Sequence, residues 1–358
     1  NNAFFGCQAG LLTTTGSFTT AVGTSALYNN TTGNTNTALG FQSLFSNTTA
    51  SNNTAVGYQA GYSNTTANHN LFMGFTTGYT NSTGTANTFV GSTVGYSNTT
   101  GNGNAAFGSN YVGSAIPTFY YNSTGSNNSV FGVGALANNT TASNNTAVGY
   151  QAGYLNTTGT LTALGRRAGY NNTTGADNTF IGVDVTANSA ATTGNNNTGV
   201  GNYSFYNLSS GASNTALGVS ALYSNTTASN NTAVGYQAGY SNTTGTTLTA
   251  FGFSAAYSNT TGANNIAIGA NSLNSNSTGN SNTVMGYQVA YYNTTGSYNT
   301  AIGDNALKSN TTASNNTAVG YQALYDNTTG GTNTAIGQQA GQHVTGGANT
   351  AVGQQALQ

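Results

Sequence analysis

Charge is almost missing from this chain. Of its 358 residues only three are Lys or Arg and four are Asp or Glu, and glutamate does not occur at all. So few cations exclude nucleic-acid binding, which draws its affinity from neutralising many phosphates. So few carboxylates exclude calcium-binding nonapeptide repeats, which place Asp in every turn. The usual charge-swollen disordered chain is excluded too. A single cysteine, Cys7, rules out an intrachain disulfide framework. No apolar run approaches the roughly 18–20 residues of a membrane-spanning helix. Proline occurs once, at Pro117, and tryptophan never.

What the chain has instead is glycine on a clock. A glycine preceded by Phe, Val, Leu, Met or Ile stands at Gly6, Gly23, Gly40, Gly57, Gly74, Gly91 and Gly108, and continues from Gly132 to Gly353 for twenty-one copies in all. The step is almost always seventeen residues. A short fixed period with one structural unit per copy is the mark of a solenoid. Asn, Thr and Gly make poor helix interiors, so the coil is built of strands and turns. The expected fold is all-β, a parallel β-solenoid or β-roll of about 21 coils, each with two short strands. Stacking at ~4.8 Å per coil makes a rod on the order of 100 Å long. Residues 1–358 read as one continuous array, a segment of a longer fibre, because the sequence both opens and stops inside a repeat.

Within the coil each phase has its own chemistry. The strictly apolar residue before the glycine (Val56, Val148, Val234, Val319) is assigned to an inward column. Truncation there should cost about 1–3 kcal/mol. The usual Thr two residues earlier, such as Thr54, is placed on the same inner face by the period of two. Four residues before the glycine stands Asn in eighteen copies, the exceptions being Thr19, Leu161 and Leu248. Stacked in register, these asparagines form an amide ladder. Five residues after the glycine an aromatic column includes Tyr28, Phe45, Tyr62, Tyr79, Tyr154, Tyr170, Tyr223, Tyr240 and Tyr325. The coil closes with Asn-Thr-Thr-Gly or Asn-Thr-Thr-Ala, read as a surface turn.

A longer period overlies the first. The string Thr-Ala-Ser-Asn-Asn-Thr-Ala-Val-Gly-Tyr-Gln-Ala begins at Thr49, Thr141, Thr227 and Thr312, close to five coils apart each time. Seven extra residues fall between Gly108 and Gly132. They predict a loop insertion near 109–128, with Ala115-Ile116-Pro117-Thr118-Phe119 expelled from the ladder and folded against the rod or a neighbouring chain.

The core string, as in Asn299-Thr300-Ala301-Ile302-Gly303 and Asn333-Thr334-Ala335-Ile336-Gly337, resembles the YadA-like head repeats of trimeric autotransporter adhesins. The Gly-Tyr-Gln-Ala and Asn-Thr-Thr-Gly segments are also similar to repeats of tail-fibre-like proteins, which often end in a self-cleaving chaperone domain. The adhesin resemblance implies a left-handed roll and three chains packed together.

Searched for chemistry, the sequence offers little. Asp177 and Asp184 share a neighbourhood with Arg166 and Arg167, which reads as a surface ion-pair patch. Asp304 and Asp326 lie about one coil apart. His69 and His343 replace ordinary turn residues and lack partners for a metal site. Cys7 is expected to be a partly buried small hydrophobe. No catalytic, cofactor or metal residues are assigned, and no enzyme activity is expected.

Two repeated features remain. Asn30, Asn47, Asn64, Asn98, Asn156, Asn225, Asn242, Asn259, Asn293 and Asn310 are formal glycan acceptors as well as turn residues. The tyrosine column serves either packing or sugar stacking. The expected role is a structural extracellular fibre or adhesin shaft at the cell surface. The alternative is the shaft of a viral tail fibre on a virion, and a second alternative is an ice-binding solenoid. The ice reading suffers because the Thr pairs sit at turns and aromatics interrupt other ranks. The expected partners are the chain itself, as a parallel trimer or higher filament, and cell-surface glycans or matrix. Neither nucleic acid nor insertion into a membrane is expected.

Overall fold

The computed structural model describes residues 1–109, 117–188 and 191–358. These fall into two units, Asn1–Asp177 and Asn178–Gln358, and each is a parallel β-solenoid. The first holds ten strands, from β1 (Ala3–Phe5) through β4 (Thr54–Val56) and β9 (Thr146–Val148) to β10 (Leu161–Leu164). The second holds eleven, from β11 (Asn178–Ile181) through β14 (Thr232–Val234) to β21 (Thr350–Val352). No helix occurs among the described residues. Strands pair in parallel with the same phase opposite itself: Thr37 faces Thr54, Ala38 faces Ala55 and Leu39 faces Val56. In the second unit Thr232, Ala233 and Val234 face Thr249, Ala250 and Phe251.

Among the described residues each coil has one strand of three or four residues, not the two expected. The glycine that follows it explains the stop. Gly57 has φ +138°, and a Cβ there would lie 2.7 Å from the carbonyl carbon of Gly74 in the next coil. Only glycine permits both the turn and the stacking. Beyond it the chain uses left-handed residues at alternate positions, Gln59 (φ 51°) and Gly61 (φ 60°), with Asn52 (φ 60°) at a third bend. Their amides are not wasted: Gln59 N–H donates to Phe41 O at 2.9 Å and Gly61 N–H to Thr77 O at 2.9 Å. Ladder bonds on both sides hold backbone that sterics alone disfavour.

The inward column is not the one expected. Ala55, Ala147, Ala233 and Ala318, the middle strand residues, are fully buried. The flanking Val56 and Thr54 face outward, and Val148 is 40% exposed. Period-two alternation put the Thr and Val together correctly, but on the opposite face from the one assigned. The cause is the narrow coil, in which the middle strand residue and the facing turn share one space, so that Ala38 is matched by Leu44 and Phe72 by Gly78.

Volume is balanced across this core. Where the middle strand residue is Phe72 or Phe89, the turn opposite is Gly78 or Gly95, where a Cβ would meet the ring at 2.5 Å. Where it is Ala38, the turn carries the buried Leu44. Gly199 reverses the arrangement and leaves space for Phe205. Leu161 and Leu248, two of the exceptions to the Asn rule, fill the spaces beside Gly153 and Gly239. A close-packed interior demands such compensation, since both voids and overpacking destabilise.

Pro117, Thr118 and Phe119 also depart from expectation. Pro117 is buried, and Thr118 and Phe119 are ordinary coil residues, both fully buried. Phe119 N–H donates to Ala135 O at 3.0 Å, and Tyr120 stacks on Tyr96. The expelled loop therefore does not extend through Phe119. Ala115 and Ile116 lie outside the described residues.

Candidate functional site

Two columns of asparagine run along the interior. Asn53 N–H donates to Asn36 Oδ1 at 3.0 Å, and Asn53 Nδ2 donates to Ala67 O at 2.9 Å. Asn64, from the Asn-Thr-Thr turn, donates from Nδ2 to Asn47 Oδ1 at 3.0 Å and to the same Ala67 O at 3.1 Å. The double clamp recurs at Ala50 O, held by Asn36 and Asn47, and at Gly101 O, held by Asn87 and Asn98. It satisfies a carbonyl that the narrow coil forces inward, where an unpaired acceptor costs about 1–3 kcal/mol.

This placement overturns the surface-turn assignment of Asn64 and its equivalents. Asn30, Asn47, Asn64, Asn98, Asn156, Asn225, Asn242, Asn259, Asn293 and Asn310 are all fully buried. A glycan on Nδ2 would replace an amide hydrogen and require solvent where the next coil lies. The folded coil therefore offers no glycan acceptor at these positions. Their threonines are what reach the surface.

The aromatic column is real and half-buried. In the first unit Tyr28, Phe45, Tyr62, Tyr79, Tyr96 and Tyr120 form one stack, with centroids 5.1–5.2 Å apart and planes within 19° of parallel. Tyr154 stacks on Tyr170, over which Arg167 lies at 4.6 Å. In the second unit Tyr206, Tyr223, Tyr240 and Tyr257 stack at 4.8–5.0 Å. Tyr325 carries Lys308 over its ring at 5.7 Å. Each ring covers the face of the next, so inside a stack no ring face is open to a sugar. Packing is what this geometry supports.

Burial, followed by repulsion from neighbouring phenols, pushes the Tyr79, Tyr223 and Tyr240 hydroxyls above 10.0. Tyr96 is the leading neighbour for Tyr79, Tyr240 for Tyr223 and Tyr257 for Tyr240.

The outward strand face is the surface that composition had hidden. The residue before the glycine and the one after it both point out, giving Leu39, Phe41, Tyr58, Met73 and Phe75 as an exposed apolar stripe in the first unit. Phe41, Tyr58 and Phe75 stack at 5.2–5.3 Å. Leu217, Val219, Tyr236, Phe251 and Phe253 continue the pattern in the second unit. The recurring Gly-Tyr-Gln was the available signal for it.

No protein-family model and no curated protein matches the chain.

Several ionisable side chains make contacts within or between adjacent coils. Asp326 pairs with His343, Oδ2 to Nδ1, at 2.6 Å, whereas Asp304 accepts from Tyr287 N–H at 2.9 Å at another phase of the coil. Asp177 accepts from Thr160 Oγ1 at 2.7 Å. Asn52 approaches His69 Nε2 at 3.4 Å. Cys7 is exposed, not partly buried, because its phase belongs to the outer stripe. Among the described residues no three His, Cys, Asp or Glu come together as metal ligands. Among the described residues no helix is long and apolar enough to cross a membrane.

Proposed function

We propose that this chain is the shaft of a structural extracellular fibre of the adhesin kind, working by mechanical continuity rather than by catalysis. The in-register parallel ladder carries the reading. Within each unit, strand amides and turn amides bond coil to coil and the asparagine columns add to them, so an axial pull loads many bonds in parallel. Such a shaft presents the same contacts at every coil, and repeated weak contacts add through multivalency.

The apolar stripe supports self-association. Soluble monomers rarely leave a contiguous apolar patch beyond a few hundred Å² uncovered, and with 2% charged residues the chain has little else to keep copies apart. The stripe repeats with the coil, so a parallel copy meets it with matching phase along its length. We assign the contact between chains to Leu39, Phe41, Tyr58, Met73, Phe75 and their equivalents, in a parallel homotrimer.

Analytical ultracentrifugation of the chain tests this. The expected result is a trimer mass, with Tyr58→Lys/Phe75→Lys shifting it towards monomer at unchanged circular dichroism. A monomer for the folded, unsubstituted chain refutes the assembly.

A further inference from the structure

A third surface runs along the Asn-Thr-Thr turns, away from the apolar stripe. The second threonine of each turn is exposed in all ten coils from Thr15 to Thr174 of the first unit, including Thr32, Thr49, Thr66, Thr83 and Thr100. No other residue type interrupts this rank. The aromatics that break other phases of the coil do not enter it.

The rank is held rigidly from both sides. The preceding residue bonds coil to coil through its backbone, with Thr31 N–H to Thr48 O at 2.8 Å, Thr48 N–H to Thr65 O at 3.0 Å and Thr65 N–H to Ser82 O at 3.0 Å. Its hydroxyl is committed as well, Thr31 Oγ1 donating to Thr48 O at 3.0 Å and Thr65 Oγ1 to Ser82 O at 3.0 Å. Two residues after the rank, side chains accept backbone amides from the neighbouring coil. Ser51 N–H donates to Asn68 Oδ1 at 2.6 Å and Thr85 N–H to Asn102 Oδ1 at 2.7 Å.

Between these committed ranks the hydroxyls of Thr32, Thr49, Thr66, Thr83 and Thr100 donate to no protein group among the described residues. Water must satisfy them. They repeat at the coil spacing of ~4.8 Å, each with a methyl group beside its hydroxyl, and no charged side chain stands in the rank to impose its own hydration shell.

We infer that this threonine rank binds ice. A fixed, uncharged line of hydroxyls and methyls at the coil spacing offers water a repeating row of partners, and the surface of an ice crystal is a polyvalent ligand that presents its water at a fixed repeat. Hydrogen bonds through such ordered water are nearly as favourable as direct ones. Because the rank is already fixed by its neighbours, little conformational entropy is lost on contact. Single contacts are weak, and ten in line add. The inference does not rest on the fibre reading: it needs the folded coils and not the contact between chains.

Thermal hysteresis of the purified chain, with ice-crystal shape recorded in the same droplet, tests it. The expected result is a gap between melting and freezing points together with faceted crystals. Thr66→Lys/Thr83→Lys/Thr100→Lys should abolish both while circular dichroism and the sedimenting mass stay the same. Tyr58→Lys/Phe75→Lys on the apolar stripe should keep both. A single bulky substitution, Thr83→Tyr, gives the same readout with less change of charge and should narrow the gap. Absence of a gap in the unsubstituted folded chain overturns the inference, as does a gap unchanged by the folded threonine variants. Either failure leaves the trimer mass, and with it the fibre reading, untouched.

Discussion

Replacing Asn64 by Ala separates a buried clamp from a decorated turn. Asn64 Nδ2 donates to Asn47 Oδ1 and Ala67 O, and its Oδ1 accepts from Asn81 Nδ2 at 3.1 Å and Asn70 Nδ2 at 3.4 Å. Ala67 O keeps Asn53 as a donor, and Asn81 keeps Gly84 O as an acceptor. Asn47 Oδ1, fully buried, loses the donor that Asn64 supplied. One orphaned buried acceptor plus the small void left by the amide should cost about 2–4 kcal/mol. Neighbouring coils share stability in an array, so the loss is local and is read best by hydrogen exchange. The amides of Thr48, Thr65 and Ser82, which bond coil to coil beside the site, should exchange about 30- to 1,000-fold faster.

Asn64→Asp sharpens the test. It removes the same donor and points a carboxylate at two carbonyl oxygens, so burial and those oxygens raise its pKa. The sign follows: the unfolded chain ionises at lower pH, and the variant loses stability as pH rises through neutrality and regains it in acid. A surface Asn64 would show neither effect, with changes inside about 0.5 kcal/mol. Unchanged exchange in Asn64→Ala refutes the clamp.

The reversed strand face makes a paired prediction: Ala55→Leu should destabilise by about 1–3 kcal/mol through overpacking, whereas Val56→Ala should cost less than about 1 kcal/mol because Val56 is already part-exposed. Denaturant midpoints for the two variants in the opposite order would restore the inward valine. The stacked tyrosines predict alkaline weakening. With Tyr79, Tyr223 and Tyr240 raised above 10.0 in the folded chain, the unfolded chain gives up its phenolic protons first, so stability is whole below about pH 10 and falls above it. Melting temperature followed with phenolate absorbance should hold up to about pH 10 and decline above it, and a flat profile there refutes the stack's contribution.

The array itself was legible because its glycine is dictated by backbone. A residue that must take φ near +138° and sit against the next coil's carbonyl cannot vary, so its period survives every other substitution. The amide ladder was legible for a related reason, since a buried acceptor at the same place in each coil needs the same donor each time. The aromatic column could be seen, but not its ring-on-ring geometry. The distance between coils follows from the fold, while the orientation of the rings depends on their rotamers.

What could not be read was which side is inside. Alternation in a strand gives two sets of residues without a sign, and a one-residue error moves every side chain to the other face. The rule that large apolar residues go inside chose Val56 over Ala55. That rule assumes an interior wide enough for them. Here a three-residue strand is backed by tight turns, and small residues, buried asparagines and compensating glycines fill the space. The apolar residues on either side of the repeat glycine, such as Val148, Tyr58 and Phe75, are left outside. Surplus apolar surface is thus a consequence of the coil's width rather than an accident of composition. The outer threonines of the turn follow from the same narrowness: once Asn64 and Ala67 turn inward, Thr66 between them has nowhere to go but out. One geometric constraint therefore produces both the stripe assigned to self-association and the hydroxyl rank assigned to ice.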